Sequence, residues 1–353
     1  MANGNGFTRY EGNLLGMNNY KKQHYLPRFY LRNFSSDRKG LCCCSRATKK
    51  SERRNIDKLF REPYFYADSS TASTAEPVLS KLEDKHAKII QKILKTHTLT
   101  INSREDLIDL SRLVFLMASR TKATKKYLES RAVLYDYSME KLGLRPEELG
   151  GKKLNPKSLN VIAMELVLNQ ASAISGLANT LLINKTNDPF TPFITSDSPV
   201  IRYNLIGRDL TDKDLTGFLN KGLIIVLPLS EEVALCLFDG QRYKLKNDTN
   251  GNIIISDNEI IDALNRNLII KADEFFIFSR PAYYKYVLSL QDDSFWGPRH
   301  IPIALKLPFF EIYNEATFQG LELFKFRNEE ILASIAETME EVSEKHSNLL
   351  RFE

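Results

Sequence analysis

The periodicity of the sequence changes at Asn187-Asp188-Pro189, and this change constrains the fold more than any other feature. Before it, apolar residues recur at helical spacing from about Thr74 to Lys95, from Asn102 or Ser103 to Thr121, and from Lys125 to Leu142. After it, short β-branched and apolar runs such as GLIIVLPLS and EVALCLFDG are separated by turn residues. Because helices and strands are grouped along the chain, the pattern predicts the α+β class, with a helical body packed against a mostly antiparallel sheet.

The same pattern predicts three segments in one compact unit. Residues 1–72 form a small basic subdomain of helix and hairpin, 73–185 the helical body, and 186–353 an α+β region. The predicted elements of the third segment are a helix from Asp257 to Ala272, strands in FFIFSR, YYKYVLSL and IPIALKLPFFEIY, and a Glu-rich helix from Asn328 to Leu349.

The longest mostly apolar stretch, Val161 to Ile183, is interrupted by Glu165, Asn169, Gln170 and Asn179. Such side chains disfavour a membrane span, so we predict a buried core helix from Leu159 to Leu182 and no membrane partner. The N-terminal residues MANGNGFTRYEGN show no basic stretch leading into an apolar one, so no secretory signal is predicted. We therefore expect a cytoplasmic protein.

Positive charge is concentrated near the N-terminus. The whole chain carries +5, but the segment from Lys21 to Arg61 contains thirteen Lys and Arg against Asp37, Glu52 and Asp57, which is +10, and the remainder carries −5. A local excess of this kind is typical of a surface that binds nucleic acid, a nucleotide or another anion. The alternative is a solvated basic face whose acidic partners come from elsewhere in the fold.

Three consecutive cysteines, Cys42 to Cys44, lie in a predicted strand, and Cys236 is distant. Adjacent strand residues point to opposite faces, so at most Cys42 and Cys44 share a side. Two ligands do not make a structural zinc site, and we interpret the four cysteines as reduced, partly buried thiols.

His24, Arg28 and Arg32 form the first candidate site. Pro27 favours a helix start, which places Arg28 and Arg32 one turn apart with His24 beside the start. An imidazole and guanidinium groups near free backbone N–H groups would suit a phosphate or carboxylate. Alternatively, the arginines pair with carboxylates of the helical body and His24 is structural.

Asp197 forms the second candidate site, in Ile194-Thr195-Ser196-Asp197-Ser198-Pro199-Val200. An acid at the end of an apolar strand can serve as a base or a ligand of a divalent metal such as Mg, with Glu83 or Asp84 as a second acid. Asp and Ser before Pro are also ordinary turn residues.

Arg120 is either a cation that complements a helix dipole or an anion clamp acting with Arg28, and Asn265 is either a helix cap or a substrate-binding side chain.

The blocks QHYLPRFYLRNF, LVFLMASRT, PFITSDSPV and LPLS resemble a bacterial family of domains of unknown function, number forty-two thirty-eight. The matching positions include His24, Pro27, Arg120, Ser196 and Asp197. The triple cysteine departs from the more usual aromatic and aliphatic strand. The resemblance implies a bacterial cytosolic protein and carries over no reaction.

Two hypotheses about function follow. The first is an enzyme or effector acting on nucleic acid or a nucleotide, such as a phosphodiester- or nucleotide-directed hydrolase, with His24 and Asp197 catalytic and Arg28, Arg32, Arg120 and Asn265 binding substrate. The P-loop, dinucleotide, zincin and hydrolase-elbow motifs are absent. The second hypothesis is a non-catalytic module that binds nucleic acid or an acidic protein through the basic segment.

Overall fold

The computed structural model describes residues 22–66, 75–99, 103–141, 164, 178–185, 188, 190–206, 216–218, 220–246, 251–291, 305 and 307–312. Its helices are α1 (Arg28–Leu31), α2 (Ala75–Thr96), α3 (Arg104–Ser119), α4 (Lys122–Lys141), α5 (Asn258–Lys271) and α6 (Tyr284–Ser289). Helix α3 begins where the sequence predicts, because the Ser103 hydroxyl accepts the backbone N–H of Asp106 at 3.1 Å and caps the helix.

The first four strands lie in the N-terminal segment: β1 (Lys22–His24), β2 (Gly40–Ser45), β3 (Ser51–Asn55) and β4 (Arg61–Pro63). The others are β5 (Ala178–Lys185), β6 (Thr195–Ser196), β7 (Ile201–Asn204), β8 (Leu223–Pro228), β9 (Val233–Asp239), β10 (Tyr243–Leu245), β11 (Asn252–Ile255), β12 (Phe275–Phe278) and β13 (Phe310–Ile312). Grouped helices and these strands confirm the α+β class.

Two larger sheets and two ribbons contain these strands. One sheet has the order β11-β5-β9-β8-β7, in which only β11 and β5 are parallel, and the other has the antiparallel order β3-β2-β12-β6. The ribbons β1-β4 and β10-β13 are also antiparallel. The prediction of a mostly antiparallel arrangement is therefore confirmed.

Alternation along the strands divides the interior into two hydrophobic clusters. Leu223, Ile225 and Leu227 of β8 join a cluster that includes α2, α3 and the N-terminal segment. Ile224 and Val226 face the other way, into a cluster that includes α5 and β12. The central strands β8 and β9 are thus buried on both faces, whereas Ile254 of the edge strand β11 is exposed.

Strand β2 divides the two clusters in the same way. Cys43 belongs to the cluster with α2 and α3, whereas Cys42 and Cys44 belong to the cluster with α5. The opposite orientation of adjacent cysteines was predicted from strand geometry. All four cysteines of the chain are buried and free.

Two predicted elements differ from the structure. Ala178 to Leu182, the end of the predicted helix Leu159–Leu182, belongs to β5, because these residues pair with β9; Met164 is helical and the rest of that helix lies outside the described residues. YYKYVLSL is helical, since Tyr283, Val287 and Leu290 are buried at helical spacing after Pro281. The predicted helix Asn328–Leu349 lies outside the described residues.

No helix within the described part of the chain is both long enough and apolar enough to cross a bilayer.

Candidate functional site

The structure separates the predicted site residues into two groups. Arg120, Asp197 and Asn265 are fully buried. His24, Arg28 and Arg32 lie in the N-terminal segment and are half-buried or exposed. Arg120 is linked to the second group through the backbone of His24, whereas Asp197 and Asn265 contact β12 and the approach to β6.

Arg120 follows α3 and directs its guanidinium into the N-terminal segment. It donates to the Tyr66 hydroxyl at 2.9 Å, to Oε1 of Glu83 at 2.6 Å and to the His24 carbonyl at 2.8 Å. Burial lowers the pKa of Arg120, but Tyr66 and Glu83 raise it by a larger amount, so the guanidinium stays charged. These contacts join β1, α2 and α3.

Asp197 lies in the turn after β6 with its carboxylate directed at the start of β12. Oδ1 accepts the backbone N–H of Asp273 at 2.8 Å, and Oδ2 accepts those of Glu274 and Phe275 at 2.6 and 2.9 Å. Burial raises the pKa of Asp197 to about 7 despite these three donors. Both oxygens therefore bind backbone.

Asn265 on α5 uses its amide to hold the chain before β6. Its oxygen accepts the Ile194 N–H at 3.0 Å, and its nitrogen donates to the Pro192 carbonyl at 2.7 Å and to the Tyr286 hydroxyl at 2.9 Å. Every one of these partners belongs to the fold, so the side chain connects α5, α6 and the segment before β6.

His24 lies in β1 opposite Arg61 of β4. Its Nε2 is buried, and no hydrogen-bond partner for it exists among the described residues. Burial, Arg28, Arg61 and Arg120 lower the pKa of His24, and a hydrogen bond with the Asp57 backbone raises it by less. The imidazole is consequently neutral at pH 7.

Arg28 and Arg32 converge on one carboxylate, that of Asp57. Arg28 Nη1 is 3.2 Å and Arg32 Nη2 4.0 Å from Asp57 Oδ1. The alternative in which these arginines pair with the helical body is not what the structure shows, because Asp57 belongs to their own segment. The pairs are exposed and contribute little to stability.

Other cations gather around Asp57. Lys58 follows it, and the Ile56 N–H donates to the Lys39 carbonyl at 3.0 Å, which places the turn with Arg38 and Lys39 beside this position. Arg61 and Arg28 both act on His24, and Lys22 shares a face of β1 with His24. We call this set the basic surface: Lys22, Arg28, Arg32, Arg38, Lys39, Lys58 and Arg61.

The basic surface is short of acids. Asp57 contacts Arg28 and Arg32. Asp37 pairs with Arg53 and Glu52 with Arg54, and these two arginines do not belong to the basic surface. Within the described residues no ion pair involves Lys22, Arg38, Lys39, Lys58 or Arg61. The acidic partners expected from elsewhere in the fold are therefore not found at these five cations. The sequence indicated this surface by its charge and singled out Arg28 and Arg32, but not the other five members.

The second acid considered for Asp197, Glu83, is bound to Arg120, and Asp84 is exposed on α2. Within the described ranges, no group of three His, Cys, Asp or Glu side chains could hold a metal ion.

Between α2 and α3 lies a cavity of about 70 Å³ lined by Ile89, Ile93, Leu99 and Leu110 together with Lys92, Thr98 and Asp106.

Fold and surface together define an α+β protein with a strongly basic, acid-poor N-terminal face. The chain belongs to the DUF4238 family, described as protein of unknown function, whose family model matches residues 22–282. All six predicted site residues lie inside this range. No curated protein and no solved structure matches the chain.

Proposed function

We propose that this protein binds the phosphate backbone of nucleic acid through the basic surface, as a non-catalytic module. The observation that carries the proposal is the acid deficit: of the seven cations of the basic surface, Arg28 and Arg32 contact Asp57, and no ion pair within the described residues involves the other five. Lys and Arg side chains that release counterions from phosphates supply most of the affinity of such surfaces.

The positions of the other candidates support a binding module. Arg120, Asp197 and Asn265 direct their donors and acceptors at backbone and at buried or half-buried side chains, as a scaffold requires. The exposed cations remain available to a ligand, and Lys and Arg side chains supply many of the contacts that proteins make to phosphate oxygens.

Two cations allow a matched test, because both have a left-handed backbone that glycine adopts without strain. Arg38 has φ of 60° and lies in the basic surface, whereas Lys49 has φ of 56° and lies in the turn at the other end of the β2–β3 hairpin. Arg38→Gly and Lys49→Gly thus remove the same charge with the same backbone change.

We expect Arg38→Gly to weaken binding of labelled single- and double-stranded DNA and RNA, and to reduce the slope of log K against log salt by about 0.7 to 0.9. Lys49→Gly should leave both quantities unchanged. Titrations at several salt concentrations, with thermal melts of each variant, measure this. Absence of binding, or equal losses in the two variants, would refute the proposal.

Hydrolysis of the bound nucleic acid is the second candidate, favoured by the neutral imidazole of His24 between Arg28 and Arg61. A neutral imidazole can accept a proton in phosphodiester cleavage, and here it could do so only once the N-terminal segment moves to uncover the buried Nε2 of His24. The same samples, incubated with and without magnesium, test it: cleavage that is lost in His24→Ala while binding remains would support hydrolysis, and intact nucleic acid would exclude it.

A further inference from the structure

Five lysines of helix α2 lie in one line along its solvent-facing side. They follow one another at intervals of four, three, four and three residues, which places them within about 80° of the helix circumference. The line is about 21 Å long, at a rise of about 1.5 Å per residue. All five are exposed, whereas His86, Ile90 and Ile93 of the same helix are buried. We call this set the lysine stripe: Lys81, Lys85, Lys88, Lys92 and Lys95.

The fold leaves most of the lysine stripe without acidic partners. Lys85 contacts Glu105 and Asp109 of α3. Within the described residues, no ion pair or hydrogen bond involves the ammonium groups of the other four, although the exposed Asp84 lies beside them on α2. Lysines three or four positions apart repel one another and destabilise a helix. A bound anion would therefore relieve a repulsion that the rest of the described chain does not.

The lysines at the start of α4 show the opposite arrangement. Lys122 contacts Glu62 and Glu274. Lys126 contacts Asp273. These lysines hold elements of the fold together, whereas the four unpaired members of the lysine stripe direct their charge into solvent.

The side chains around the lysine stripe favour a polyanion over an apolar partner. Between Lys81 and Lys95 no large apolar side chain of α2 is exposed, and the exposed Val78 lies in the turn before. A protein or a membrane would bury little apolar surface here, and exposed ion pairs with single carboxylates contribute little. A nucleic acid gains more, because every lysine that meets a phosphate releases condensed counterions.

We propose that the lysine stripe is a second contact surface for the phosphate backbone of nucleic acid. Its ligand rests on the function proposed above, but its residues do not, because it shares none with the basic surface. Glu83, which binds Arg120 and so joins α2 to the His24 carbonyl of β1, lies roughly opposite the stripe on α2. Since the lysines act as point charges on phosphates, this surface reads no sequence.

The test compares two triple variants of equal charge change. Lys81→Gln/Lys88→Gln/Lys95→Gln removes three unpaired members of the stripe, and glutamine matches lysine in helix propensity. We expect it to reduce the slope of log K against log salt for duplex DNA by about 2 to 3, and to weaken binding at about 0.1 M salt by roughly tenfold or more. The control, Lys50→Gln/Lys221→Gln/Lys285→Gln, neutralises three exposed lysines elsewhere and should change neither quantity.

Thermal melts without nucleic acid show whether the stripe variant is folded. At low salt it should melt no lower than the unaltered chain, because the substitutions remove repulsion between lysines. Equal losses of binding in the two folded triple variants would overturn the proposal. So would a stripe variant that binds DNA normally but no longer binds vesicles of phosphatidylserine and phosphatidylcholine, because the stripe would then be a membrane contact.

Lysine acetylation followed by mass spectrometry locates the contact on the unaltered chain. Saturating duplex DNA should slow the acetylation of Lys81, Lys88, Lys92 and Lys95, and leave Lys50 and Lys285 unchanged. Equal rates along α2 with and without DNA would contradict a contact at the stripe.

Failure of this proposal and failure of the proposed function give different results. Binding that falls with Arg38→Gly and not with the stripe variant would overturn the stripe and leave the basic surface. Binding that falls with the stripe variant and not with Arg38→Gly would do the reverse. A chain that binds no nucleic acid would overturn both.

Discussion

The guanidinium of Arg120 contacts three segments that are far apart in the sequence. It binds Tyr66, Glu83 and the carbonyl of His24, and the Tyr66 hydroxyl donates to the same carbonyl at 3.0 Å. Arginine suits this position because its planar group offers five donors in fixed directions. One side chain therefore fixes β1 against the helical body.

Replacing Arg120 by methionine should lower the free energy of unfolding by about 3 kcal/mol, because it leaves the partly buried Glu83 carboxylate without its cation. Urea denaturation followed by circular dichroism measures the change. Arg131→Met, at an exposed position of α4, is the control and should stay within about 0.5 kcal/mol. Equal effects of the two substitutions would contradict a structural role for Arg120.

At the residue scale, the sequence singled out three polar side chains that the fold buries, but it did not reveal what they bind. Arg120, Asp197 and Asn265 were predicted as alternatives between a local structural role and a substrate contact. The partners of these side chains are 21 or more positions away, from the Tyr286 hydroxyl for Asn265 to the His24 carbonyl for Arg120. Helix dipoles and turn propensities act over a few residues, so they cannot reveal such partners.

Helices α2 and α3 meet around a buried polar group. Asp109 of α3 is about 1 % exposed and accepts a contact from Arg112 at 3.2 Å and one from Lys85 of α2. His86 of α2 lies beside them, and among the described residues its Nε2 has no hydrogen-bond partner. Burial lowers the pKa of His86 to about 4, with Asp109 opposing and Lys85, Arg120 and Arg112 reinforcing the shift.

This packing makes the free energy of unfolding depend on pH through His86. The folded chain keeps His86 neutral down to about pH 4, whereas an unfolded histidine binds a proton near pH 6.5. The unfolded state thus holds more protons in this window, and stability rises with pH. The contribution of His86 is complete above pH 6.5 and is lost as the pH falls toward 4.

We therefore predict that between pH 7 and pH 4.5 the unaltered chain loses about 2 to 3 kcal/mol more stability than His86→Gln, which carries no titrating ring. Urea denaturation at both pH values gives the comparison. His97→Asn, at an exposed histidine, should lose as much as the unaltered chain. If the loss is the same with and without the His86 ring, the group does not titrate as proposed.

The sequence predicted long amphipathic elements better than short apolar ones. The capping of α3 and the helix now seen as α5 were predicted from local chemistry, since caps and helical stripes lie within one element. Ala178–Leu182 and YYKYVLSL were assigned the wrong type. Short apolar runs fit a buried strand and a buried helix equally, and only their partners, such as β9 for β5, decide between them.

The three predicted segments contribute strands and side chains to common sheets and to a common hydrophobic cluster. Strand β2 of the N-terminal segment pairs with β12, in register from Cys42 opposite Phe278 to Ser45 opposite Phe275. One hydrophobic cluster contains Tyr30 of the N-terminal segment, Leu113 of α3 and Leu227 of β8. We propose that the segments fold together as one unit, as the sequence analysis predicted.

Deleting residues 1–72 should therefore prevent folding of the rest, because it removes β2 from the edge of β12 and opens the shared cluster to water. We expect the fragment 73–353 to lack a cooperative thermal transition in calorimetry. Co-expression with residues 1–72 as a separate chain should restore that transition. A fragment that unfolds cooperatively by itself would show that residues 73–353 fold without the N-terminal segment, and would contradict this prediction.

Strand β2 lies between the two hydrophobic clusters and directs thiols into both of them. Cys43 faces the cluster built with α2 and α3, and Cys42 and Cys44 face the one built with α5. Because burial raises the pKa of Cys43 to about 12 and that of Cys44 to about 11, neither thiol reacts until its surroundings open. Alkylation rates measured at these neighbouring residues of one strand therefore report how often each of the two hydrophobic clusters opens to solvent.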